Sequence, residues 1–311
     1  MLQRLILLLW VLCASVSSAA EQRAPLLWKI DGPQTHYLFG TIHLPDPRVT
    51  TLAAPVTEAL KQSKLIVTEL EFSAGTIMAM STAGMLPVGE SLTEKLPEDL
   101  RNALQLELKA IDPNYQLAMF DRMKIWTMAT NLALLPIQKK HRGVAPLDMQ
   151  LVQLAAKHGA RNIGLEKLHE QLDIFDTLTL DEQLSLLRDA VELRKKARTT
   201  GPDFLELMIT AYVDGNAQAI LQLTEEGLSE NPELSERLRK TLIDDRNHNM
   251  ADRIDALIKT PKQKPMFIAV GAAHLIGESS VVDLLRKKGY TITRTGVEQE
   301  QYDERTAIAY R

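Results

Sequence analysis

Strand-like runs gather at the two ends of this chain, and the long stretch between them keeps helical spacing. Residues 26–30 and 37–42 are short apolar runs separated by Asp31-Gly32-Pro33-Gln34, the composition of a hairpin connection. Helical spacing over residues 54–62 leads to a third apolar run at 65–72, so the chain opens β-β-α-β. From about residue 73 to 260 the apolar positions recur at helical intervals, interrupted by a short strand-like segment at 162–165. Strand character returns at 266–270 and, after a helical stretch at 275–287 that Gly289 stops, at 290–293. Strands from both ends can share a sheet only if the ends meet, with the helices packed over it. The expected fold class is therefore α/β, a central sheet built from N- and C-terminal strands with a large helical middle region.

The first twenty residues read as a signal peptide, with one positive charge at Arg4, an apolar stretch over 5–13, and the small residues Ser18-Ala19-Ala20 ahead of cleavage after Ala20. That stretch is shorter than the roughly 20 residues that span a bilayer. A periplasmic or secreted protein with no membrane span after cleavage is expected, its residues 21–311 forming one domain with a helical insertion at about 73–260. Cys13, the only cysteine, leaves with the signal. The mature chain then has no thiol for a disulfide, a metal site or a nucleophile. With 36 Lys and Arg against 40 Asp and Glu, and no interleaving of basic and aromatic residues, no nucleic-acid partner is expected.

One short pattern occurs twice. Tyr37-Leu38-Phe39-Gly40-Thr41-Ile42-His43 and Phe267-Ile268-Ala269-Val270-Gly271-Ala272-Ala273-His274 each run from an apolar strand through a glycine to a histidine. Glycine permits a turn or a close approach there, and the C-terminal edge of a sheet is where α/β folds assemble sites. The two histidines are expected to converge. The run at 65–72 ends with Glu69 and Glu71, which strict alternation places on one face. A carboxylate on a buried strand needs a partner or a cation, so metal ligand and general base both stand as roles. Glu71 also reads as a solvent-facing strand end.

In the helix before the last strands, Ile243, Met250, Ile254 and Leu257 mark an apolar face that Arg246 and Asn247 share, so these polar groups should point inward and need partners. An inward arginine either clamps a substrate oxygen or neutralises Glu69 or Glu166. Glu166, just past the strand at 162–165, is a further candidate. His169-Glu170-Gln171-Leu172-Asp173 approximates the zinc-binding H-E-x-x-H helix, but with Asp in place of the second histidine it reads as a solvated face. His36, His141, His158 and His248 show no partner pattern.

This ordered set resembles the TraB/GumN family, which includes the Tiki proteases and is related to ChaN-like haem-binding and erythromycin-esterase-like proteins. The match rests on Trp28-Lys29-Ile30, Phe39-Gly40-Thr41-Ile42-His43 with Asp46-Pro47-Arg48, Thr68-Glu69-Leu70-Glu71, Gly164-Leu165-Glu166, Asp245-Arg246-Asn247 and Val270-Gly271-Ala272-Ala273-His274. The resemblance implies one site made of both G-x-x-H motifs, a glutamate and an arginine, and metal-dependent peptidase activity in the Tiki branch. Carried over, His43 and His274 become metal ligands, Glu69 a ligand or base, and Arg246 a group that stabilises developing negative charge. Zn²⁺, Mn²⁺ or Co²⁺ suits such donors, and a peptide or protein is the implied substrate. The alternative is a non-catalytic envelope protein that binds haem or a partner.

Overall fold

The two ends of the chain do meet in one sheet. A computed structural model describes residues 24–261 and 264–295, so the expected signal peptide lies outside the described residues. Among them the strands are β1 (Leu27–Ile30), β2 (His36–Thr41), β3 (Leu65–Thr68), β4 (Arg161–Gly164), β5 (Met266–Gly271) and β6 (Ile292–Arg294), in the order β4-β3-β5-β2-β1-β6. The hairpin β1–β2 is antiparallel and β6 lies antiparallel on β1. β2, β5, β3 and β4 are parallel, with Thr41 opposite Gly271 and Thr68 opposite Gly164. Four parallel strands therefore end on the same edge. β5, the penultimate strand in the chain and the most apolar, takes the place between β2 and β3 that is covered on both faces.

Alternation along β5 divides the core. Ile268 and Val270 join Leu38 and Val67 under Met250 and Ile254 of helix Asp245–Ile258 and Leu285 of helix Val281–Lys287. Phe267 and Ala269 face the other way, with Phe39 and Ile66, against Leu60 of helix Ala54–Gln62 and Leu151 of helix Leu147–Lys157. Truncating a side chain as buried as Phe267 costs about 3–5 kcal/mol. The helical middle has a further core of its own, in which Leu100, Leu104 and Leu108 pack with Leu132 and Leu187. Among the described residues no helix is long and apolar enough to cross a membrane.

Two boundaries differ from the sequence expectation by more than two residues. β3 ends at Thr68 rather than at Phe72, because Thr68 Oγ1 donates to the Leu70 carbonyl (2.6 Å) and Asn162 Oδ1 accepts from the Phe72 amide (2.7 Å), which turns the chain off the sheet. Glu69 and Glu71 consequently share no strand face, and Glu71 is exposed. The helix expected from residue 275 starts at Val281; Gly277 and Ser279, both at positive φ, break the path before it.

Candidate functional site

The C-terminal edge of the four parallel strands carries one candidate residue from each. His43 follows β2, Glu69 follows β3, Glu166 follows β4, and His274 closes a short 3-10 turn after β5. Glycine is needed at both motifs for close approach. A Cβ on Gly40 would stand 3.1 Å from the Ala272 Cα, and one on Gly271 would stand 3.2 Å from Glu69 Oε1. The two motifs therefore touch through Gly40 and Ala272.

Glu69 is held from three sides. The Gly271 amide donates to Oε1 (2.7 Å), while Arg246 Nη2 (2.6 Å) and Gln171 Nε2 (3.1 Å) donate to Oε2. Arg246 also grips Glu166 through Nε (2.9 Å) and Nη2 (2.7 Å), and Gln171 bridges to the same carboxylate at 2.8 Å. The structure sets this single guanidinium between two carboxylates. The Arg246 and Glu69 side chains are each 13% exposed and Glu166 only 2%, so these pairs lie where solvent screens little.

Each histidine has its Nδ1 committed. His274 Nδ1 donates to Asn247 Oδ1 (2.7 Å), and the Asn247 amide is oriented by its own Nδ2, which donates to the Ser279 carbonyl (3.0 Å). His43 Nδ1 donates to Asp148 Oδ2 (2.6 Å), whose Oδ1 accepts from Thr41 Oγ1 (2.8 Å). His274 Nε2 stands 4.0 Å from Glu69 Oε1. His274 is buried, whereas the His43 side chain is 60% exposed and forms the rim of the site.

Protonation follows from these partners. Burial pushes the Glu69 carboxyl up, but the positive potential of Arg246 and the histidines, with the Gly271 amide bond, brings it down to about 2. Burial lowers His274 to about 4, against the pull of Glu69. The charge of Asp148 raises His43 to about 9. At neutral pH Glu69 is ionised, His274 neutral and His43 protonated.

The donor set fits a divalent cation in its chemistry. Two imidazoles with Nδ1 tied to oxygen acceptors leave Nε2 as the ligating atom, and a fixed carboxylate stands beside them. The 4.0 Å between His274 Nε2 and Glu69 Oε1 falls within the sum of two bonds of about 2.1 Å each. Among the described residues no three His, Cys, Asp or Glu side chains are gathered as a metal cage, so the structure brings His274 and Glu69 together as a pair and does not assemble His43 with them as a three-ligand set.

Asp148 and Gln171 carry no sequence signal that singles them out. Asp148 sits in the first turn of helix Leu147–Lys157, where an acidic residue is unremarkable by pattern. Gln171 lies inside the H-E-x-x-D segment, whose Glu170 is instead paired with Arg253. His36 is buried and accepts from the Met266 amide (3.2 Å), a structural role.

A model of the TraB/PrgY/gumN family matches residues 26–294. Metalloprotease TIKI1 of Danio rerio is 28% identical over 86% of this chain and 63% of its own length. The Homo sapiens protein of the same name is 27% identical over 86% of the chain and 61% of its own length. The Escherichia coli (strain K12) protein called uncharacterized protein YbaP is 25% identical over 83% of the chain and 90% of its own length. The chain thus spans about three fifths of the metalloproteases it resembles. No solved structure matches.

Proposed function

The chain belongs to the TraB/PrgY/gumN family, and from that membership and the geometry of its site we propose that it is an exported, metal-dependent hydrolase of peptide or protein substrates. His43, His274 and Glu69 would hold the divalent cation, Zn²⁺, Mn²⁺ or Co²⁺ by donor type. The observation that carries the reading is the pairing of both Nδ1 atoms with oxygen acceptors, at 2.6 and 2.7 Å, which leaves two Nε2 atoms for a cation beside Glu69. The metalloprotease names of the relatives support the reaction class.

When bound, such an ion supplies Lewis acidity and an acidified water. The remaining work falls to the chain's own groups. A carboxyl held near 2 is a weak proton acceptor at neutral pH, so Glu69 serves as a ligand rather than a general base. Glu166 and Gln171 fix Arg246 and Glu69 in place. Arg246 Nη1, bonded to the Leu242 carbonyl at 3.2 Å, is the edge assigned to negative charge developing on the substrate.

Metal-free mature protein, titrated calorimetrically with each ion and then incubated with a peptide library, tests this reading. One ion should bind per chain and the binding should be lost in the His43→Ala, His274→Ala double variant. Cleavage should require the ion and disappear in Glu69→Gln. Cleavage that persists in a chelator, or in Glu69→Gln, sinks the proposal. The export part is checked by sequencing the N-terminus of the protein recovered from the envelope, which should begin at Glu21.

A further inference from the structure

His43 borders an open cavity of about 370 Å³, at the small end of the roughly 300–1,000 Å³ range of ligand sites. Leu134, Val144 and Pro146 supply an apolar wall, and besides His43 its polar groups are Arg142, Gln138 and His141, the last standing 3.5 Å from Asp46. No carboxylate lines it. Arg142 lies just past helix Ile125–Lys140, before Gly143 at φ +82°, and is exposed. Neighbouring cations are occupied, Arg48 by Asp46 and Glu206 and Lys139 by Asp112, and Lys140 stands 4.0 Å from Glu206. Arg142 makes no hydrogen bond or ion pair with the described residues. A guanidinium without an acidic partner, over an apolar wall and beside a candidate metal-ligating histidine, matches a carboxylate carried on an apolar scaffold, because its planar fork donates to both carboxylate oxygens.

We propose that this cavity is a substrate subsite in which Arg142 binds a carboxylate of the peptide, placing the bond to be cut beside His43. The assignment of a substrate rests on the peptidase reading, but the binding of a carboxylate does not. Two sources supply that group, the free C-terminus of a short peptide and an internal acidic side chain.

Three acetylated apolar pentapeptides separate them: a free acid, its C-terminal amide, and the amide with one internal glutamate. Their affinities are measured by calorimetry on the mature chain with and without Mn²⁺, alongside cleavage. At least one carboxylate-bearing peptide should bind about tenfold more tightly than the plain amide, the scale of one charge-assisted hydrogen bond. Which one does identifies the source. Arg142→Ala should abolish the preference, Arg142→Lys should keep part of it, and Arg142→Glu should reverse it. No preference in the wild type, or one that survives Arg142→Ala, overturns the subsite. Preferential binding without cleavage leaves the subsite standing and removes the peptidase reading; cleavage without preference does the opposite.

Discussion

Arg246 shows how a single side chain decides what its neighbours can do. Its guanidinium meets Glu69 at 2.6 Å and Glu166 at 2.7 Å in a site largely closed to solvent. Removing one partner of such a group strands buried charge, which costs roughly 3–5 kcal/mol. Arg246→Ala should therefore lower the free energy of urea unfolding by about that amount, and Arg246→Lys by less, since an ammonium keeps the charge but loses the fork to Glu166. A loss below about 1 kcal/mol in the alanine variant would mean that water enters and solvates both carboxylates. His43 makes a different prediction. With its pKa raised to about 9 by Asp148, it carries a proton at pH 7 that it must give up to bind an ion. Metal titrations in two buffers of different ionisation heat should thus report about one proton released per ion at pH 7, with affinity climbing until pH 9. In His43→Gln the release should vanish.

At the scale of elements, the site is a consequence of strand order. β5 between β2 and β3 brings the two G-x-x-H motifs side by side, and Gly40 is where they touch. Gly40→Ala puts a methyl 3.1 Å from both the Ala272 Cα and the Leu26 Cβ, contacts that backbone has to move to relieve, at about 1–3 kcal/mol. The variant should fold with a lowered unfolding midpoint and bind metal less tightly, because the displaced loop carries His274; unchanged affinity would show that the loop yields without moving the histidine. This convergence was legible in the sequence, since an apolar strand, a glycine and a histidine recur in that order and period-two burial fixes which residues leave the strand end. The end of β3 was not, because Thr68 and Asn162 bend the chain through side-chain bonds that propensity does not register. Asp148 and Gln171 were equally hidden. They reach His43 and Glu69 from 105 and 102 residues away, on helices whose spacing distinguishes buried from exposed positions but not which polar group meets which.

For the whole molecule the site couples stability to pH in both directions. His274 titrates near 4 when folded and near 6.5 when unfolded, so between those values the unfolded chain binds the extra proton and stability falls as pH drops. Glu69, brought from 4.5 to about 2, contributes stability that is present above 4.5 and lost as pH falls through 2. His43 has the opposite sign: raised from 6.5 to about 9, it contributes fully below 6.5 and loses that contribution as pH rises through 9. These three groups together place a maximum near pH 6.5. The acid limb should be the steeper, because the His43 side chain is 60% exposed and solvent screens its pair with Asp148. Urea midpoints followed from pH 4 to 9 test this with two variants. His274→Gln should flatten the limb between 6.5 and 4 without touching the alkaline side, and His43→Gln should flatten the shallow limb between 6.5 and 9. If both limbs kept their slopes in these variants, the pH dependence would originate in other ion pairs of the fold, and the protonation states assigned to the two histidines would be wrong.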